Sequence, residues 1–114
     1  MSIQLYHNPR CSKSRQAKEL LDDRNITYET VLYLKDVPSK SEIKSIVQKL
    51  QISANELIRK KDEFYKTNYS KLTLSEKEAI DLLHSHPELI ERPILVMEKS
   101  AAIGRPLSNI EEIL

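Results

Sequence analysis

The chain contains a single cysteine, Cys11, in the run His7-Asn8-Pro9-Arg10-Cys11-Ser12-Lys13-Ser14-Arg15. The thiolate form of cysteine is the nucleophile, so the useful question is what sets its charge. Asn8-Pro9 punctuates the chain just before Cys11, and a helical pattern begins just after it. The first N–H groups of a helix have no intrahelical partner, and the macrodipole adds about half a positive charge there. Arg10, Lys13 and Arg15 add cations, and Ser12 and Ser14 add hydroxyl donors. A free thiol titrates near ~8.5, which leaves about 3% thiolate at pH 7, whereas a value of ~6.5 gives about 75%. A lone cysteine is commonly a small buried hydrophobe. A polar, basic, helix-opening loop favours the reactive reading. His7 is either a packed imidazole at a strand end or a group that orients the loop or tunes the thiolate.

The same helix start would bind an oxyanion, because backbone N–H groups converge there. A thiolate repels an anion unless cations compensate, and the arginine fork matches two oxygens at once. Arg59 follows the apolar pair Leu57-Ile58, Arg92 precedes Pro93 at the start of an apolar run, and Arg105 precedes Pro106 where another run ends. Taken singly, each reads more readily as a solvated surface residue, and periodicity alone does not select these three.

The elements that must position these groups follow from periodicity. Ile3–Tyr6 is short and alternating, Ser12–Arg24 places Ala17, Leu20 and Leu21 at helical spacing, Asn25 is a helix stop, and Thr27–Tyr33 is β-rich. This is a strand–helix–strand unit, so the two strands are expected to be parallel with a right-handed crossover. From Pro38 to His86 the pattern is helical and mostly polar, with Ser-x-x-Glu capping boxes at Ser39/Glu42, Ser53/Glu56 and Ser75/Glu78. The apolar stripes behind them are Ile43, Ile46, Val47 and Leu50, then Leu57 and Ile58, then Ala79, Ile80 and Leu83. Pro93–Met97 reads as a buried strand, Glu98-Lys99-Ser100 as a turn, Ala101–Ile103 as the return strand, and Ile110, Ile113 and Leu114 as a terminal helix. The expected fold is α/β: one thioredoxin-like domain over residues 1–114, with a mixed four-stranded sheet and a helical insertion, at about 38–88, between the second and third strands.

Composition narrows the function. Of 114 residues, 39% are hydrophobic and 31% charged, and 18 Lys and Arg against 17 Asp and Glu leave a net charge of +1. That balance argues against a general nucleic-acid binder. No apolar run approaches the ~20 residues of a membrane helix, and the first residues carry no secretory pattern, so a cytoplasmic protein is expected. One cysteine excludes an internal disulfide, and one glycine, Gly104, excludes phosphate-binding loops that need several. His84 and His86, two residues apart, do not share a helix face and no ligand cluster completes them, so no metal is expected.

At these residues the chain resembles the glutaredoxin-linked arsenate reductases of the ArsC type, with the related Spx regulators. The similarity runs through Tyr6–Arg15, Leu34–Pro38, Glu56-Leu57-Ile58-Arg59-Lys60, Ile90-Glu91-Arg92-Pro93-Ile94 and Gly104-Arg105-Pro106, in order and over essentially the whole chain. The His-Asn-Pro-Arg-Cys-Ser-Lys-Ser-Arg form is similar to a chromosomal subgroup, with Arg10 where the well-studied reductases carry a small residue. The resemblance implies a cis Arg92-Pro93 bond, Cys11 as nucleophile, His7 and Ser14 as groups that tune its thiolate, and Arg59, Arg92 and Arg105 as the oxyanion-binding set. It implies arsenate as substrate, no bound cofactor, glutathione as co-substrate and glutaredoxin as partner.

Two other functions compete with that one. Spx-like relatives bind RNA polymerase and switch through a Cys-x-x-Cys pair. Ser14 stands at the second cysteine's position here, so such a regulator would lack its redox switch. A monothiol reductase of glutathionylated proteins, or of another oxyanion, would use Cys11 without needing all three arginines.

Overall fold

The computed structural model describes residues 3–114. The chain forms two compact units: one runs up to Asp36 and resumes over Arg92–Leu114, and the other is Val37–Glu91.

The first unit is built on a sheet of β1 (Gln4–Tyr6), β2 (Glu29–Val31), β3 (Ile94–Val96) and β4 (Ala101–Ile103), in the order β2-β1-β3-β4. β1 and β2 are parallel, β1 and β3 antiparallel, and β3 and β4 antiparallel. This is the expected mixed sheet. β3 is buried along its whole length, as an interior strand with an unbroken apolar run should be. β2 lies at the sheet edge and is largely exposed. It is shorter than the alternation over 27–33 suggests, because the chain turns where the N–H groups of Lys35 and Asp36 donate to the Leu32 carbonyl at 2.9 and 2.8 Å. Short edge strands also offer little surface for unwanted pairing.

Helix α1 (Ser12–Asp23) covers one sheet face. Its stop is the one read from Asn25, which adopts the left-handed φ of 56° while Ile26 N–H donates back to the Leu21 carbonyl at 3.0 Å. Leu5, Leu95 and Ala102 stand opposite one another across three strands. With Ala17 and Leu21 of α1 and Ile110 of α5 (Ser108–Ile113) they form the core of this unit. Each fully buried leucine contributes about 1.5–3 kcal/mol.

Register places the functional loops together. Tyr6 is opposite both Val31 and Ile94, and Ile94 is opposite Ile103. The residues after β1, before β3 and after β4 therefore all emerge at one rim of the sheet. These are the segments that carry Cys11, Arg92 and Arg105.

The second unit holds α2 (Lys40–Leu50), a 3-10 turn at Ala54–Leu57, α3 (Glu63–Asn68), α4 (Glu76–Ser85) and a 3-10 turn at Pro87–Leu89. Ser39 and Ser75 cap α2 and α4 through complete boxes: each hydroxyl accepts from the glutamate N–H at 3.1 Å, and each carboxylate accepts from the serine N–H at 2.9 Å. At Ser53 the Glu56 carboxylate likewise accepts from the serine N–H at 2.9 Å. The third apolar stripe is Ala79, Leu82 and Leu83 rather than one through Ile80. Leu57 and Ile58 do not extend a helix. The 3-10 turn ends at Leu57, and Ile58 forms an isolated antiparallel bridge with Ile90.

Candidate active site

Cys11 is the N-cap residue of α1, with extended backbone (φ −94°, ψ 121°), and its side chain does not cap the helix. The first turn of α1 contains no acidic residue, so nothing there offsets the positive end of the dipole. The preceding loop is held tightly. Cys11 N–H donates to the Asn8 carbonyl at 3.0 Å, Arg10 N–H donates to Asn8 Oδ1 at 3.0 Å, and Arg15 Nη1 donates to the Pro9 carbonyl at 2.9 Å.

Ser14 is fully buried one turn into the helix, on the same face as Ala17 and Leu21. Its Oγ accepts from Asn8 N–H at 3.0 Å and lies 2.6 Å from His7 Nδ1. With the neutral ring protonated on Nε2, Ser14 donates its hydroxyl proton to Nδ1 while Oγ accepts from Asn8. Burial holds the His7 pKa below its ordinary value, helped by the Lys18 charge and then that of Arg15, while hydrogen bonding at Ser14 works in the other direction. His7 is a packed strand-end imidazole, 5% exposed, that reaches the Cys11 loop through one hydroxyl.

Two arginines meet at the sulfur. Arg105 donates from Nη2 to Cys11 Sγ at 3.2 Å and from Nε to the Arg92 carbonyl at 2.7 Å. Burial pushes the Cys11 thiol up, but the opposing influences prevail and leave its pKa below the ordinary value. In descending order these are the Ser14 backbone, the Arg92 side chain, the Lys13 backbone and the Arg105 charge. Arg92 Nε is buried and has no hydrogen-bond acceptor. A buried donor left unmatched costs about 1–3 kcal/mol.

Both Arg92-Pro93 and Arg105-Pro106 are cis. The first agrees with the sequence resemblance; the second was not anticipated, and residue order alone carries no signal for it. Arg59 lies in the second unit, where its N–H donates to the Leu89 carbonyl at 2.6 Å and its guanidinium faces Asp62 at 3.9 Å. Of the expected site residues, Cys11, His7, Ser14, Arg92 and Arg105 thus gather at one rim of the first unit. The bracing role of Asn8 and Arg15 was not read from sequence. An Asn-Pro pair ahead of a helix is the signal that could have found the first.

A mixed sheet of this order, with helices packed on it and a cysteine opening α1, is the thioredoxin-like arrangement. The chain belongs to the ArsC family, whose pattern it matches over residues 6–113. It is 45% identical over 114 residues to an arsenate reductase of Neisseria meningitidis, covering 98% of this chain and 97% of the relative. It is 43% identical over 116 residues to an arsenate reductase of Haemophilus influenzae, covering all of both chains. The solved structure of an arsenate reductase from Vibrio cholerae superposes with a TM-score of 0.93 at 40% identity, covering 100% of this chain and 98% of that one. No described helix is long and apolar enough to cross a membrane, and no three His, Cys, Asp or Glu side chains among the described residues cluster to hold a metal.

Proposed function

We propose that the protein is an arsenate reductase in which Cys11 forms a covalent adduct with arsenic, with glutathione as co-substrate and glutaredoxin as the protein that regenerates the thiol. The observation that carries this reading is a sulfur biased toward its anion with Arg105 Nη2 3.2 Å away. The names of the relatives support the choice of arsenate.

Arg92 and Arg105 hold the oxyanion and offset the negative charge of a thiolate approaching it. Arg59 is the third cation of this set on the strength of its sequence motif. The Cys11 thiolate attacks arsenic(V), one arsenate hydroxyl leaves as hydroxide and takes a proton from solvent, and an S–As bond forms with arsenic still pentavalent. A glutathione thiolate then attacks Cys11 Sγ. The S–As bonding pair departs with arsenic, which gains two electrons and leaves as arsenite, while the two sulfurs are oxidised to a mixed disulfide. Glutaredoxin takes the glutathione and releases the Cys11 thiolate. One cysteine per chain makes an external thiol a chemical necessity for this cycle.

The test is arsenate reduction with glutathione and glutaredoxin, run on the wild type, Cys11→Ser and Arg59→Ala. Wild-type turnover with an inactive Cys11→Ser is the expected result. Full activity in Arg59→Ala rejects that arginine's assignment. A wild type that ignores arsenate but strips glutathione from proteins selects the monothiol reductase instead.

A further inference from the structure

We propose that Asn109 is a positioning residue for Arg105: its side-chain amide fixes the backbone of the loop that aims the guanidinium at Cys11. The effect on the sulfur follows from the geometry alone, and the effect on arsenate turnover rests on the reading above. Asn109 lies in the first turn of α5 and is half-buried. Its Nδ2 donates to the Ile103 carbonyl at 3.1 Å and to the Arg105 carbonyl at 3.4 Å. A carboxamide nitrogen carries two protons, so it can make both bonds at once.

The strand ladder explains why that amide is needed. Gly104 N–H donates to the Pro93 carbonyl at 2.8 Å, and Met97 N–H to the Ser100 carbonyl at 2.8 Å. These bonds mark the hydrogen-bonded pairs of the β3–β4 ribbon, and such pairs alternate with non-bonded ones. Ile103, opposite Ile94, falls in a non-bonded pair. Its carbonyl therefore points away from β3, to the open edge that β4 forms as the last strand of the sheet. A backbone carbonyl needs a partner, the sheet has no strand on that side, and Asn109 supplies the donor.

The restraint runs on to the sulfur. The chain around Arg105 is tied to β3 through Gly104 N–H and to α5 through the Arg105 carbonyl. From that fixed base the guanidinium spans the Arg92 carbonyl at 2.7 Å and Cys11 Sγ at 3.2 Å. An arginine side chain carries about 2 kcal/mol of rotamer entropy, so a loose backbone beneath it would spread the guanidinium over many positions. Asn109 thus acts on Cys11 through Arg105.

The experiment follows iodoacetamide alkylation of Cys11 against pH in Asn109→Leu and Asn109→Ala, each made in the wild type and in Arg105→Ala. Leucine keeps the branched side-chain outline and alanine does not, and both lack the donor. In the wild-type background both substitutions should raise the alkylation midpoint, by no more than Arg105→Ala does. In the Arg105→Ala background neither should move it further, the signature of two residues acting in one chain of contacts. A purely structural role would lower stability in urea without this dependence on Arg105. Unmoved midpoints in the wild-type background, a shift in only one of the two variants, or an equal shift without Arg105 overturn the proposal. With arsenate, Asn109→Leu should lose about tenfold in kcat/KM, inside the roughly 100-fold that a 1 Å misplacement can cost. A wild type inactive on arsenate, with the midpoints ordered as stated, sinks the proposed reaction and upholds the role of Asn109. An active wild type whose midpoints ignore Asn109 does the reverse.

Discussion

Arg105 reaches Cys11 Sγ with one guanidinium nitrogen at 3.2 Å and the Arg92 carbonyl with another at 2.7 Å. The second bond fixes the direction of the first, so the cation is held on the sulfur rather than sweeping through solvent. Arg105 is nonetheless exposed, and water screens its charge.

That screening ranks two substitutions. Arg92 counts for more than Arg105 in lowering the Cys11 pKa. Alkylation of Cys11 by iodoacetamide, followed against pH, should show a midpoint below the free-thiol value of ~8.5. Arg92→Ala should raise that midpoint further than Arg105→Ala does. The reverse order would refute the ranking. A depressed thiol pKa stabilises the fold fully above the unfolded value, and this contribution is lost as pH falls through the folded value.

Ser14→Ala removes the hydroxyl that Asn8 N–H and His7 Nδ1 both use. The buried His7 ring and the partly buried Asn8 N–H lose their partner, so the expected cost is about 1–3 kcal/mol in urea unfolding. The Ser14 N–H survives the substitution and continues to favour the thiolate. The alkylation midpoint should therefore move less than it does in Arg92→Ala.

His7 predicts a pH dependence of stability. Its folded pKa lies below the unfolded value of ~6.5, chiefly because it is buried. Between the two values the unfolded chain binds more protons, so stability rises with pH in that window. The contribution is complete above ~6.5 and is lost as pH falls through the folded value. Urea midpoints of wild type and His7→Gln should converge as pH drops from 7 toward 5. Parallel curves would show that His7 does not titrate in this way.

Gly104 has no room for a methyl group. A Cβ there would sit 2.7 Å from Ile110 Cδ1 and 2.8 Å from Pro93 Cγ. Ile110 can shift its terminal methyl, but the proline ring cannot fold away. Gly104→Ala should cost about 1–3 kcal/mol by overpacking. Because Gly104 precedes Arg105, it should also slow Cys11 alkylation near neutral pH, which a purely remote core defect would not do.

Ser75→Ala in the second unit should cost about 1 kcal/mol, the usual value of an N-cap, and Ser39→Ala should cost a similar amount. Thermal unfolding of each variant checks this. Neither serine belongs to the rim that bears Cys11.

Much of this architecture was legible because it rests on short-range signals. The Ser39 and Ser75 boxes, the Asn25 stop and the apolar run at Ile94–Val96 each declare themselves within a few residues. α3 was absorbed into a general helical block, since Phe64, Tyr65 and Tyr69 pack as an aromatic group rather than as an aliphatic stripe. Its N-cap signal was present at Asp62, which accepts from Phe64 and Tyr65 N–H. At the site, a charged helix start is a local property and could be read at Cys11. The meeting of Cys11 with Arg105, 94 residues apart, depends on strand register and could be reached only through the family resemblance.

Val31, Tyr6, Ile94 and Ile103 stand abreast across the sheet, and this row acts as a ruler for the chemistry beyond it. One residue added within β4 would carry Arg105 about 3.3 Å along its strand and turn the side chains beyond it to the opposite face. The same addition at Glu98–Ser100 falls at the far end of the hairpin, where the Met97 N–H closes on the Ser100 carbonyl at 2.8 Å, and leaves the row untouched. Length variation is therefore tolerable at that hairpin tip and forbidden between Ile94 and Arg105 on the strands themselves, an asymmetry set by the hydrogen-bond ladder and not by the reacting groups.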